Sequence, residues 1–142
     1  MSETLILIPA YNEAAHIQAV VRAASAYLPV LVVDDGSRDD CAALAEAAGA
    51  QVIRQAPNQG KGTALRVGFL RALEQGAQAV LTLDADGQHD PQEIPRFLAE
   101  YQSSRADLII GERDFRQMPF SRRLANTLGK RAFSWALGRE VR

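Results

Sequence analysis

The chain is predicted to be an α/β protein, with a Rossmann-like, mostly parallel sheet covered by helices on both faces. Short runs rich in Val, Ile and Leu recur at 4–8, 30–33, 51–54, 79–83 and 108–110. Between them lie segments of roughly 10 to 15 residues whose apolar positions follow a helical spacing, the pattern of right-handed βαβ units. Polar or acidic clusters follow four of these runs: Tyr11-Asn12-Glu13, Asp34-Asp35, Asp84 with Asp86, and Glu112-Arg113-Asp114. Ligands of such sheets bind outside the carboxyl ends of the strands, so these clusters are expected to share one edge.

Taken in order, Thr4 to Ile8 reads as a buried strand stopped by Pro9. Ala14 to Tyr27 follows as a helix with Ile17, Val20, Val21 and Ala24 on one face and Asn12 as its cap. Val30 to Val33 is the second strand. Cys41 to Ala48 is a helix closed by Gly49, and Ser37 with Asp40 forms an approximate capping box before it. Gln51 to Arg54 is the third strand, and the Gly-rich loop Gln59 to Thr63 leads into a helix from Ala64 to Glu74 that stops at Gly76. Ala79 to Leu83 is the fourth strand. A helix from Pro91 to Ser103 starts on a proline, which loses no N–H bond in a first turn. Leu108 to Ile110 is predicted as a fifth strand closed by Gly111, and Ser121 to Leu137 as a final basic and apolar helix.

Composition sets the outer limits. With 142 residues, 47% hydrophobic and 23% charged, the chain suits one soluble domain able to bury about two thirds of its unfolded surface. It needs no disulfide, and the single Cys41 has no CxxC or Cys/His neighbourhood for zinc. A reducing cytoplasmic compartment is expected. The N-terminus has no signal-peptide pattern, and no apolar run approaches a bilayer span. A net charge of −1 suggests no nucleic-acid partner, but the charge is uneven: residues 1–104 hold 7 basic and 13 acidic side chains, residues 105–142 hold 9 and 4. An acidic first part suits cations and a basic end suits anions, unless surface charge has simply clustered.

Asp84 and Asp86 flank Ala85 directly after a strand. Two carboxylates held close repel unless a cation neutralises them, and Mg²⁺ or Mn²⁺ takes one or two carboxylates plus substrate phosphates. Gln88 adds a carbonyl oxygen. The same residues also suit a plain turn, because Asp-Gly pairs are common turn formers. An EF-hand is excluded by the position of Gly87. Asp34 and Asp35 end the second strand, where a carboxylate can accept from a nucleobase N–H or from ribose hydroxyls. Asn58-Gln59-Gly60-Lys61-Gly62 lacks the Walker A spacing, yet its glycines let backbone approach a ligand or a strand, and Lys61 can face an anion. No GxGxxG follows the first strand, which disfavours a dehydrogenase. His16, Cys41 and Trp135 read as structural.

In order, IPAYNE at 8–13, VVDDGSRDD at 32–40, NQGKGTAL at 58–65, LDADGQHDP at 83–91 and IIGERDF at 109–115 resemble family 2 glycosyltransferases of the GT-A fold, in particular the dolichyl- and polyprenyl-phosphate hexosyltransferases. The resemblance implies inverting, metal-dependent transfer of a hexose from a donor of the GDP-mannose or UDP-glucose type to a polyprenyl phosphate. It implies that Pro9, Ala10, Tyr11 and Glu13 line the nucleoside pocket with Asp34 or Asp35. Asp84, Asp86 and Gln88 then hold Mg²⁺ or Mn²⁺ on the diphosphate, with Ala85 nearby, and Lys61, able to face an anion from its own loop, is expected among the donor-binding residues. Arg113, Ser121 and Arg122 match acceptor-side positions, and Asp86, Arg113 and Arg122 are the residues expected to act on the reacting groups. The family normally continues beyond a segment like LGREVR, so residues 1–142 are expected to form one catalytic core lacking part of its acceptor side.

Two other functions share parts of this pattern. A nucleotide-sugar-binding module without turnover would keep the donor residues, and a phosphatase would use the DxDG sequence on phosphate esters. Peripheral contact with the cytoplasmic face of a membrane is a further expectation. Leu124, Leu128 and Trp135 fall near one helical face, and Arg122, Arg123, Lys130 and Arg131 supply positive charge, although a core-packing helix would show the same spacing.

Overall fold

The computed structural model describes residues 4–104 and 106–111. The chain divides into two compact units, Met1–Arg105 and Ala106–Arg142. The first unit runs β1 (Thr4–Ala10), α1 (Ile17–Ser25), β2 (Val30–Asp34), α2 (Cys41–Ala47), β3 (Gln51–Arg54), α3 (Lys61–Glu74), β4 (Ala79–Thr82), a 3₁₀ turn (Pro91–Glu93) and α4 (Ile94–Ser104). The strands form one parallel sheet in the order β3-β2-β1-β4. The chain thus winds outward from β1 through β2 to β3 and crosses back to place β4 on the other side of β1.

Strand alternation sorts the core into two layers. Ile6, Ile8, Val30 and Val32 face one way and pack with Ile17, Val20, Val21 and Ala24 of α1, Cys41 and Ala45 of α2, and Ile94 of α4. Leu5, Leu7, Leu31 and Val33 face the other way, against Ala64 and Ala72 of α3. Both faces of β1 and β2 are therefore buried, which explains why their sequences are continuous apolar runs. Burial also raises the pKa of the Cys41 thiol and keeps it protonated, as befits a packing residue.

The approach of α3 to the sheet depends on Gly68. A Cβ built there would lie 2.2 Å from Leu7 Cδ1, and Leu7 is fully buried. Gly68→Ala is expected to cost about 1–2 kcal/mol through overpacking, read as a lower urea midpoint with an unchanged slope. Pairing with Leu7→Ala should recover part of that loss relative to the sum of the two single variants.

Four sequence expectations need correction. Pro9 does not stop β1: it lies within the strand, paired in register with Val33. Leu83 N donates to Leu7 O, so alternate residues Leu7 and Pro9 face the β4 edge, where pairing has already ended at Leu7–Thr82 and no N–H is required. Asn12 does not cap α1, which begins after His16 without a side-chain cap. Ser37 and Asp40 form no capping box, since α2 has no side-chain cap bond from Asp40 and the Ser37 hydroxyl is engaged elsewhere. The run Leu108–Ile110 is not a strand: residues 106–111 form no ladder, and Leu108 and Ile110 are 75% and 79% exposed. Three apolar residues carry too little pattern to specify a partner strand, and without one there is no ladder. The segment 121–137, predicted as a helix, lies outside the described residues.

Candidate donor-binding site

The carboxyl ends of β1, β2 and β4, with the N-terminus of α3, surround one cleft of about 400 Å³. Pro9, Ala10, Tyr11 and Glu13 come from β1 and the loop after it. Asn12 holds that loop in place. At φ +55°, a conformation that asparagine tolerates, its N–H donates to Ser37 Oγ at 2.9 Å and its Oδ1 accepts from Arg38 N at 2.8 Å. Ala14 N donates to Asp39 Oδ2 at 3.0 Å, so the loops after β1 and β2 are stitched together. Glu13 Oε2 lies 3.1 Å from His16 Nδ1.

The two aspartates ending β2 divide their roles. Asp34 is buried and does not line the cleft; Ser37 Oγ donates to its Oδ1, and Ser37 N donates to Oδ2 at 3.3 Å. Asp35, 2% exposed, does line the cleft and grips the loop before α3. Gln59 N donates to its Oδ1 at 2.8 Å, Gly60 N to its Oδ2 at 2.7 Å, and Asn58 Nδ2 to its carbonyl at 3.0 Å. Gly36 permits the close contact, since it sits at φ +75° and a Cβ there would fall 2.9 Å from Asn58 N.

That grip fixes the start of α3 and with it Lys61, the first residue of the helix. Lys61 Nζ lies 2.5 Å from Asp84 Oδ1. Asp84 also meets His89, whose Nδ1 accepts from Asp84 N at 3.0 Å and whose Nε2 lies 3.7 Å from Asp84 Oδ2. Asp86 Oδ1 accepts Gln88 N at 2.9 Å. Ala85 between them is buried, and all three residues of the DAD sequence line the cleft. Gln88 is exposed and does not line it.

Of the residues singled out from sequence, Pro9, Ala10, Tyr11, Glu13, Asp35, Lys61, Asp84, Ala85 and Asp86 meet here, while Asp34 and Gln88 stand aside. Arg113, Ser121 and Arg122 lie outside the described residues. Asn58 and His89 lie in motifs that the sequence singled out, but neither had a role legible there: Asn58 reaches the carbonyl of Asp35, 23 positions away, and His89 meets Asp84 N only through the shape of their shared turn. Among the described residues no group of three or more His, Cys, Asp or Glu side chains is arranged to hold a metal. The cleft brings together four carboxylates and one ammonium around a space large enough for a small-molecule ligand.

The family model of glycosyl transferase family 2 matches residues 5–138. The chain belongs to that family. Polyprenol monophosphomannose synthase of Mycolicibacterium smegmatis is 36% identical over 78% of this chain and 44% of its own length. Undecaprenyl-phosphate mannosyltransferase of Micrococcus luteus is 32% identical over 93% of this chain and 56% of its own. A solved structure of glucosyl-3-phosphoglycerate synthase from Mycobacterium tuberculosis, in complex with Mn²⁺, UDP and glucosyl-3-phosphoglycerate, matches with a TM-score of 0.60 and 26% identity, over 70% of this chain and 39% of that one. This family 2 chain spans about half the length of the curated relatives it matches. Its parallel sheet flanked by helices is the GT-A fold that the sequence motifs implied.

Proposed function

We propose that the chain carries the donor-binding residues of a glycosyltransferase that moves a hexose, with inversion, from a nucleoside diphosphate sugar to a polyprenyl phosphate. The observation that carries this is the convergence of Asp35, Lys61, Asp84 and Asp86 on one cleft at the carboxyl edge of the sheet. Tyr11, 42% exposed at the rim, offers a ring face to a base, and Asp35 offers carboxylate lone pairs to the nucleoside.

Asp84 and Asp86 present hard oxygen donors too few for a closed protein cage, which fits Mg²⁺ or Mn²⁺ completed by phosphate oxygens. Such an ion supplies positive charge for the departing diphosphate. Lys61 adds a mobile cation to the same end of the cleft. Arg113, Ser121 and Arg122 are proposed to hold the acceptor phosphate. A phosphate acceptor is already ionised at neutral pH, so transfer to it needs no general base, whereas a hydroxyl acceptor would need a carboxylate such as Asp114.

The acceptor class is supported by the two relatives that carry polyprenol or undecaprenyl phosphate in their names. Among the described residues no helix is long and apolar enough to cross a membrane; contact with a membrane face through residues 121–137 is part of the proposal. The phosphatase alternative finds no support in the family assignment. A donor-binding module without turnover uses the same cleft, and only sugar transfer to a polyprenyl phosphate distinguishes it from an enzyme.

Thermal unfolding with a panel of UDP, GDP and their sugars, each with and without Mn²⁺, tests the donor side. A ligand at about 100 times its Kd adds about 2.7 kcal/mol of stability. One nucleotide series is expected to raise Tm, and to do so mainly with Mn²⁺ present. A flat panel would count against the whole proposal.

A further inference from the structure

Lys61 stands where an arriving metal ion must compete with it. Its ammonium lies 2.5 Å from Asp84 Oδ1, the carboxylate proposed as a metal ligand, and the other oxygen of Asp84 already faces His89 Nε2 at 3.7 Å. The position of Lys61 is built rather than accidental. Its backbone starts α3 directly after Gln59 and Gly60, whose N–H groups are both held by the buried Asp35 carboxylate. The side chain is 62% exposed, so the ammonium remains free to exchange partners through its four-carbon stem.

Accepting the donor-cleft reading above, we propose that Lys61 is a positioning residue that serves as the resident counter-cation of Asp84 and thereby couples metal binding to nucleotide binding. A divalent ion arriving alone must displace the ammonium from Asp84 while also taking Asp86, which leaves Lys61 only Glu13, already beside His16, and Asp35, already engaged by Gln59 N and Gly60 N. An ion arriving with a diphosphate brings phosphate oxygens to which the displaced ammonium transfers. The ion alone is thus disfavoured, and the ion with diphosphate is favoured. Since coupling between two ligands is reciprocal, nucleotide affinity gains from metal by the same factor.

The test uses the full chain as wild type, Lys61→Met and Lys61→Arg, at pH 8, with Mn²⁺ binding followed by the electron paramagnetic resonance of the free aqueous ion. Each protein is titrated alone and with saturating UDP or GDP, and far-UV circular dichroism checks folding. Removing an exposed ion-pair partner changes affinity modestly, so Lys61→Met is expected to bind Mn²⁺ alone roughly threefold more tightly than wild type. With the nucleotide, the same variant is expected to bind Mn²⁺ more weakly than wild type. Lys61→Arg keeps the charge and should follow wild type in both arms. Opposite signs in the two arms cannot arise from a damaged fold, which would weaken both. If wild type binds Mn²⁺ with a nucleotide but Lys61→Met leaves Mn²⁺ alone unchanged or weaker, the counter-cation role is overturned and the donor cleft stands. If wild type binds no Mn²⁺ with either nucleotide, the donor-cleft reading fails and this inference with it.

Discussion

Asp86→Ala is expected to lower the metal-dependent affinity for nucleoside diphosphate by at least about 100-fold. Mutating groups that merely support a metal ligand typically costs 10- to 100-fold in metal affinity, so loss of a ligating carboxylate should sit at or beyond the top of that range. Asp86 accepts one backbone hydrogen bond, from Gln88 N, within its own turn and is not buried. Its removal should therefore leave the fold intact. Calorimetric titration of the nucleotide with and without Mn²⁺ separates the two terms: the metal-independent part should persist while the Mn²⁺ increment disappears. An undiminished increment would remove Asp86 from the metal site.

Asp35→Ala should be the most destabilising change in the cleft, at about 3 kcal/mol. The carboxylate is 2% exposed and accepts Gln59 N and Gly60 N on separate oxygens. Hydrogen bonds to charged groups contribute about 1.5–3 kcal/mol each, and part of the loss is recovered if the freed loop reaches water. Asp35→Asn should lie between, because its one carbonyl oxygen still accepts an N–H while its amide meets the other donor. Urea unfolding of the three proteins measures this. A loss under about 0.5 kcal/mol for Asp35→Ala would be typical of an unconstrained surface site and would contradict the clamp. The clamp also predicts that both variants bind nucleotide less well, since the position of Lys61 depends on the same loop.

Most of the architecture was legible because it is written in local periodicity. The four strands and the helices between them follow from apolar runs and helical spacing, and the parallel order follows from their alternation. The strand-end rule also places the cleft from the sequence alone. Much of what escaped depends on groups far apart in sequence, and the rest on the shapes of turns. Asn12 and Ser37 look like helix caps when each is read with its own neighbours, but they bond to each other across 25 positions. Pro9 looks like a strand terminator until the edge that its missing N–H faces is known. Asp34 and Asp35 are adjacent and chemically identical, and only the folded loops assign one to Ser37 and the other to Gln59 and Gly60. His89 carried no signal at all, since a ring nitrogen accepting the backbone N–H of Asp84 depends on the shape of the turn.

A divalent ion and a nucleoside diphosphate that meet between the DAD sequence and the start of α3 should reveal themselves by paramagnetic broadening of backbone amide resonances. Mn²⁺ added at substoichiometric levels with UDP or GDP should broaden the amides of Ala85, Asp86, Gly60 and Lys61 first, leave those of α2 sharp, and lose this pattern in Asp86→Ala. Broadening that is absent, or that centres away from this cleft in the wild-type chain, would mean that the ion and the diphosphate do not meet there.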